Sequence, residues 1–202
     1  DDGIHRHILT HNLWGADIDA TAAEVAAAGL LLKRPAANLG IAPRIVVCDS
    51  LRPGPAGWGD RAFWFARYDY VIGNPPYLSF GLRGARRLDP DYEAYLRKTF
   101  NSSAEYKLSY YVLFLERGIA MLKEGGRLGF ILPDSFLLGR YYSKIRRHIL
   151  ATAAVETLVH IALPVFKNAA VGMSVICILR RESDPAARAA QTVAVRQLTG
   201  ED

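Results

Sequence analysis

The sequence contains little cysteine and methionine, with two residues of each among 202. Cys48 and Cys177 are far apart, and each lies in an apolar, strand-like run. This placement predicts two buried reduced thiols and argues against a disulfide framework or a metal-binding pair. No apolar run approaches the length of a membrane span, and no signal-peptide pattern is present. These absences favour a cytoplasmic protein without membrane contact.

The excess of one charge sign is small. A formal net charge of +5 and a pI near 9.3 make the chain mildly basic, which permits a phosphate-rich partner without requiring one. His5, His7 and His11 form a loose cluster near the start, but no cysteine or acidic ligand pattern completes it. We therefore expect a solvated segment there and no metal site.

Strand-like and helix-like segments alternate along the chain, which predicts an α/β fold with a doubly wound, mostly parallel sheet. The predicted strands cover residues 12–16, 44–48, 68–73, 127–132, 155–162, 173–179 and 192–198. The predicted helices cover residues 21–33, 91–100, 108–122 and 139–151, with Asp19 as the cap of the first and Gly125-Gly126 as the end of the third. Residues 78–103 are expected to form a polar insertion without a strand, and 184–191 a charged connector.

Three consecutive predicted strands end in polar residues, namely Asp17, then Asp49-Ser50, then Asn74. In an open α/β sheet, the carboxyl ends of the strands line the ligand crevice. An acidic residue at a strand end is a common acceptor for ribose hydroxyls, and a second one on the next strand can accept from an adenine amino group. Each aspartate taken singly is equally typical of a helix cap or a turn.

The tetrapeptide Asn74-Pro75-Pro76-Tyr77 follows an apolar run and precedes a polar stretch. Its prolines fix their own φ angles, and Pro75 also restricts Asn74, so the segment is stiff. The side-chain oxygen of Asn74 and the carbonyl of Pro75 can then act as paired acceptors for a planar amino group, and Tyr77 offers an aromatic face. The alternative is an ordinary proline-rich turn.

Five segments together resemble the amino-methylating DNA methyltransferases, above all the adenine-specific (N6) enzymes of type IIG restriction–modification and related phage-defence systems. The segments contain Asp17, Asp49, the Asn74–Tyr77 motif, the run from Leu122 to Pro133 and the run around Phe166. The resemblance extends over roughly residues 8 to 181, and the Asn-Pro-Pro-Tyr context is its most specific part. It implies a Rossmann-like class I methyltransferase fold.

The resemblance also implies roles for individual residues. S-adenosylmethionine would be the cofactor, with Asp17 on its ribose, Ile18 against its adenine, and Asp49 with Ser50 at the adenine amino group. The partner would be double-stranded DNA with a flipped adenine.

For the target base, the same resemblance implies that Asn74 and Pro75 bind the N6 amine. Pro76 completes the catalytic motif, Tyr77 stacks on the base, and Phe166 packs on it from elsewhere in the chain.

The chain departs from the family pattern because no glycine-rich loop precedes Asp17, and the first residue is Asp1 instead of Met. We expect the first family strand, its glycine turn and the target-recognition region to lie outside this sequence. Residues 1–181 would then be a partial catalytic domain, and 182–202 a connector with a possible extra strand. Such an incomplete methyltransferase should be weak or inactive by itself.

Two other functions fit the motif: methylation of a protein glutamine or of an RNA adenine, and a non-catalytic remnant or nucleic-acid-binding module. The insertion favours DNA, because basic and aromatic residues suit phosphates and bases. These residues are Arg83, Arg86, Arg87, Tyr92, Tyr95 and Arg97. Arg140, Lys144, Arg146 and Arg147 could also contact phosphates, although the solvated face of a helix is the expectation.

Overall fold

The computed structural model describes residues 2–34, 40–52, 61–80, 87–163 and 173–199. The chain divides into two compact units, Asp1–Ala66 and Arg67–Asp202, which are described separately below. Across the described ranges, every helix is too short or too polar to cross a membrane.

The first unit contains one pair of parallel strands and three helices. Its elements are α1 (Asp2–His7), a π-helical turn (Ile8–Asn12), β1 (Trp14–Asp17), α2 (Ala20–Leu31), β2 (Arg44–Val47) and α3 (Arg61–Phe65). Asp17 lies opposite Val47 at the carboxyl end of the strand pair. Asp19 caps α2 as predicted, because its carboxylate accepts the backbone N–H of Thr21 at 2.8 Å.

The second unit contains a five-stranded mixed sheet in the order β3-β6-β8-β7-β9. The strands are β3 (Tyr68–Gly73), β6 (Leu122–Pro133), β7 (Ala153–Ile161), β8 (Ser174–Arg181) and β9 (Ala194–Leu198), and a short pair is formed by β4 (Ser79–Phe80) and β5 (Leu108–Ser109). β3 is parallel to β6, and β8 is antiparallel to both of its neighbours. The helices are α4 (Pro90–Thr99), α5 (Tyr110–Met121), α6 (Ser135–Leu138), α7 (Ser143–Thr152) and α8 (Pro185–Ala190).

One face of this sheet forms the hydrophobic core with α5 and α7. Leu128, Phe130 and Leu132 of β6 alternate with less buried residues and pack against these helices. α5 approaches the sheet closely, since a Cβ atom on Gly118 would lie 2.5 Å from Leu128 Cδ1. On β3, at one edge of the sheet, Tyr70 and Ile72 are 70% and 84% exposed.

Several predicted boundaries were wrong. Ser79–Phe80 forms a strand inside the insertion, and residues 122–126, predicted as helix end and turn, extend β6 because Leu122 pairs with Tyr68. The predicted helix 139–151 begins only at Ser143, since α6 and a 3₁₀ turn (Arg140–Tyr142) come first. Cys48 is only partly buried, unlike Cys177, whose pKa is raised to about 12 by burial.

Candidate functional site

The two predicted cofactor carboxylates lie at the carboxyl ends of β1 and β2 in the first unit. Each accepts a backbone N–H two residues further on: Asp17 from Asp19 at 2.9 Å, and Asp49 from Leu51 at 2.9 Å. Such Asx turns are local and fix the carboxylate close to its own strand end. Because β1 and β2 are parallel, both carboxylates lie at the same edge of the pair.

An apolar surface accompanies these carboxylates. Ile18 is 72% exposed directly after Asp17, whereas Ser50 beside Asp49 is half-buried. Two acceptors and an exposed aliphatic side chain can bind hydroxyl or amino groups and the flat face of a ring. The first unit therefore carries four of the predicted site residues at one edge: Asp17, Ile18, Asp49 and Ser50.

The Asn-Pro-Pro-Tyr motif forms the corner where β3 ends in the second unit. Asn74 and Pro76 are exposed, Pro75 is buried, and Tyr77 is half-buried. The corner is anchored beyond Tyr77, because the backbone N–H of Tyr110 donates to the carbonyl of Leu78 at 2.9 Å. An exposed asparagine on a fixed corner is the arrangement that the paired-acceptor hypothesis requires.

Residues distant in sequence hold Tyr77 in place. Its ring packs edge-on against Tyr111 of α5, with ring centroids 6.3 Å apart. Burial raises the pKa of the Tyr77 hydroxyl above its ordinary value, and the Ser174 side chain at the start of β8 opposes that rise. One edge of the ring is thus fixed by the core while the side chain remains partly exposed.

A second aromatic layer lies behind Tyr111. The rings of Tyr111 and Tyr142 are 5.6 Å apart, and the Lys107 ammonium lies 5.6 Å from the Tyr142 ring centroid. Burial raises the pKa of Tyr111 far above its ordinary value. Burial also acts to raise the pKa of Tyr142, but interactions with Lys107, Tyr111 and Ser109 outweigh it and lower that pKa. Within the part of the chain that the structure describes, neither of these two hydroxyls has a hydrogen-bond partner of standard geometry.

The sequence pattern did not reveal these supporting residues. The sequence places Tyr111 only within the predicted helix 108–122, and nothing in the local sequence connects Ser174 or Tyr142 with the motif. Phe166, the predicted second stacking residue, lies outside the described residues, as do Arg83 and Arg86 of the insertion.

Some basic residues have structural partners. Arg97 donates to the Glu93 carboxylate at 2.8 Å and to the carbonyl of Glu105 at 2.6 Å. Arg146 donates to the carbonyls of Phe136 and Gly139, both at 2.8 Å. The expected solvated position is therefore wrong for Arg146, which holds a turn.

Comparisons with known proteins agree with this geometry. The Eco57I restriction-modification methylase family model matches residues 11–166. The type II restriction enzyme and methyltransferase RM.Eco57I of Escherichia coli is 35% identical over 104 residues, which is 50% of this chain and 10% of that enzyme. The type II methyltransferase M.PaeR7I of Pseudomonas aeruginosa is 28% identical over 134 residues, which is 66% of this chain and 22% of that enzyme.

Solved structures share the fold. A Listeria monocytogenes protein described as a class I S-adenosylmethionine-dependent methyltransferase superposes with a TM-score of 0.69 at 22% identity, covering 95% of this chain and 51% of that one. The DrdV protein in its DNA complex gives a TM-score of 0.72 at 15% identity over 98% of this chain and 22% of that one. The chain thus has a class I methyltransferase fold and spans only part of each relative. By the match over residues 11–166, the protein belongs to the Eco57I restriction-modification methylase family.

Proposed function

We propose that this chain carries catalytic residues of a DNA adenine-N6 methyltransferase that uses S-adenosylmethionine within a restriction–modification or defence system. The observation that carries the proposal is the corner at the end of β3, with Asn74 exposed, Pro75 buried and Tyr77 packed against Tyr111. The corner offers paired oxygen acceptors beside an aromatic ring.

Paired acceptors suit the chemistry of an exocyclic amine. The lone pair of adenine N6 is delocalised into the ring, so the nitrogen is a poor nucleophile. Acceptance of both N6 hydrogens, by the Asn74 side chain and the Pro75 carbonyl, favours a pyramidal nitrogen with greater negative charge. Hydrogen-bonding groups that are positioned before the reaction and directed at the atom where charge develops lower the barrier to that reaction. A general base is not needed before attack, since the proton can leave afterwards.

The first unit has acceptors that fit the cofactor. The Asp17 carboxylate can accept from a ribose diol and the Asp49 carboxylate from an adenine amine, and exposed Ile18 can cover the ring. When bound, S-adenosylmethionine supplies an electrophilic methyl group on a sulfonium. The role of the protein is to align that carbon with N6 at about 3–3.5 Å.

Tyr77 provides the contact that an unstacked base needs. Removing an adenine from a duplex costs a few kcal/mol of stacking and pairing, part of which a protein ring can restore. The edge-on contact with Tyr111 limits the rotation of the Tyr77 ring. Its stacking face is therefore available at little further entropic cost.

DNA is the partner that the relatives favour. The relatives compared above are type II methyltransferases of restriction–modification systems, and DrdV was solved as a DNA complex. The basic composition of the chain fits a polyanionic partner.

The test is a methyl-transfer assay with product identification. The protein is purified both as this 202-residue chain and as the polypeptide encoded by its whole reading frame. Each form receives radiolabelled S-adenosylmethionine with unmethylated duplex DNA, structured RNA or a mixed protein extract, and the digested products are separated by mass. We expect N6-methyladenine in DNA from the whole reading frame, and loss of that product in Asn74→Ala.

The other outcomes discriminate between the alternatives. Label in protein glutamine or in RNA adenine would replace DNA with that substrate, while N4-methylcytosine would change the target base. No transfer to any substrate by the whole reading frame would support a non-catalytic nucleic-acid-binding module. Comparison of the two forms measures how much of the activity the 202 residues provide.

A further inference from the structure

Leu138 is the most exposed large hydrophobic residue among those described, with 93% of its surface accessible. It is the last residue of α6, the short helix that follows β6. A single exposed leucine usually needs no explanation. Leu138 differs because the turn that carries it is held firmly by the rest of the unit.

Hydrogen bonds on both sides of Leu138 fix this turn. One guanidinium nitrogen of Arg146 donates to the carbonyls of Phe136 and Gly139, each at 2.8 Å, and the Gly139 N–H donates to the Ser135 carbonyl at 2.7 Å. A Cβ atom at position 139 would lie 2.5 Å from the Ser135 oxygen, so only glycine closes the turn. Phe136 is buried in the core. The turn is therefore a rigid support for an exposed apolar tip.

The turn follows the carboxyl end of β6, and the Asn74 corner follows the carboxyl end of the neighbouring strand β3. β3 and β6 are adjacent and parallel, with Gly73 opposite Phe130, so both polypeptide segments leave the sheet in the same direction. The Asp134 N–H donates to the Met173 carbonyl at 3.0 Å, and Phe136 of the turn belongs to the same buried cluster as Tyr111, against which Tyr77 packs. These contacts connect the start of the turn with the proposed base-stacking ring.

Positive charge follows the apolar tip directly. The Arg140 guanidinium is exposed and lies 4.6 Å from the ring centroid of Tyr141. Further along the chain, Arg147 of α7 is also exposed, whereas Lys144 Nζ donates to the Ala104 carbonyl at 3.1 Å. An apolar tip followed directly by a cation matches a nucleic acid, which presents phosphates outside and hydrophobic base faces inside.

We propose that Leu138 is a wedge that enters the duplex and occupies the space left by the flipped base. This inference rests on the proposed function and goes beyond it, because it identifies the residue that maintains the opened duplex. A flipped base leaves its two neighbours unstacked, and an apolar side chain between them restores van der Waals contact and hinders the return of the base. The rigid turn means that little ordering is needed when Leu138 inserts.

The test uses the whole-reading-frame protein after the modified site has been mapped in its product DNA. Leu138→Ala removes the wedge, Leu138→Met keeps its volume, and Leu150→Ala is the matched control. Leu150 is 66% exposed and lies near the end of α7, where the chain reaches the start of β7 at the other end of the strands. Base flipping is followed by the fluorescence of 2-aminopurine placed at the target position, and transfer by kcat.

We expect Leu138→Ala to lower both the fluorescence rise and kcat on a paired duplex by about tenfold. A mismatch opposite the target weakens pairing, so on that duplex the same variant should fall within about twofold of the unsubstituted protein. Leu138→Met and Leu150→Ala should retain activity on both duplexes, and thermal unfolding should be unchanged in all three.

Two results would overturn the wedge while the proposed function stands. In one, Leu138→Ala methylates paired DNA as well as Leu150→Ala does. In the other, the loss is equal on paired and mismatched duplexes, which would make Leu138 a contact for another protein region. Absence of DNA methylation by the unsubstituted protein would instead remove the proposed function, and the wedge with it.

Discussion

The two units support their site residues in different ways. In the first unit, Asp17 and Asp49 are held by hydrogen bonds to N–H groups two residues away, on a sheet of two strands. In the second, Tyr77 of the Asn74 corner packs against Tyr111, which is remote in sequence and belongs to the hydrophobic core. The proposed cofactor acceptors thus rest on local turns, whereas the proposed catalytic corner rests on tertiary packing.

This difference has a physical consequence. A two-stranded sheet has little independent stability, so carboxylates on its turns can adjust when a ligand binds. A corner built into a close-packed core is fixed before substrate arrives, as electrostatic stabilisation of a transition state requires. The proposed division is therefore an adjustable cofactor edge and a rigid base edge.

The largest expected effect comes from the rigid edge. Asn74→Ala removes one of the paired acceptors and should lower kcat by about 10²–10³-fold, as loss of one preorganised hydrogen-bonding group does elsewhere. Affinity for S-adenosylmethionine, measured by calorimetry, should stay the same because the acceptors proposed for the cofactor are Asp17 and Asp49, and Asn74 is proposed to bind only the target amine. Equal losses in turnover and cofactor affinity would contradict separate roles for the two edges.

Substitutions at the adjustable cofactor edge should instead act mainly on cofactor affinity. Asp17→Ala removes a charged acceptor and should weaken cofactor affinity by roughly 10- to 100-fold, the range for a hydrogen bond to a charged group. Asp17→Asn keeps an oxygen for the Asp19 N–H, so its turn is retained and its loss should be smaller. If both variants lose the same affinity, the carboxylate charge would account for the whole loss and the turn would not matter.

The same division explains which features the sequence could predict. β1, β2, β3 and the Asp19 cap depend on apolar runs and neighbouring residues, and the prediction located them to within two residues. β4 and β5 have two residues each and pair across thirty positions, so no local pattern indicates them. Leu122 to Gly126 read as a helix end because Gly-Gly is a common stop, whereas pairing with Tyr68 makes Leu122 a strand residue.

Within the candidate site, the sequence proposed the motif residues but not the residues that pack against them. Asn74 and Tyr77 lie within one tetrapeptide, so a local motif identifies both. Tyr111 differs from the other apolar residues of α5 only through the ring contacts that the fold creates. The sequence places Arg146 on the solvated face of a helix, and only the folded structure shows that its side chain donates to two backbone carbonyls.

Arg146 offers a smaller test of tertiary support in the second unit. Arg146→Lys keeps the charge but cannot bridge both carbonyls, which leaves one part-buried carbonyl without its partner. We expect the free energy of unfolding to fall by about 1–3 kcal/mol in urea titrations. Arg147→Lys, one position along and exposed, should change it by less than about 0.5 kcal/mol. Equal stability of the two variants would mean that the turn does not depend on this guanidinium.

The smallest expected effect is on the pH dependence of stability, which should differ between the two units. Burial lowers the pKa of His148 in α7 below its ordinary value of 6.5, with opposing influence from Glu116 and a further lowering by Arg181. Lys144 and Arg147 line the same surface cavity as His148, and their positive charges also disfavour its protonation. In the first unit, His7 and His11 are exposed and stack with ring centroids 4.4 Å apart.

The sign of the pH effect follows from proton uptake. As pH falls below about 6.5, the unfolded chain protonates His148 while the folded second unit does not, so stability falls by at most about 1.4 kcal/mol per pH unit. His148→Gln should remove that part of the loss between pH 7 and pH 5. Hydrogen exchange resolved by peptide would show the change in β6, β7 and β8 and none in β1 and β2. An unchanged pH slope in the variant would mean that carboxylates, and not this buried imidazole, govern acid sensitivity of the rigid edge.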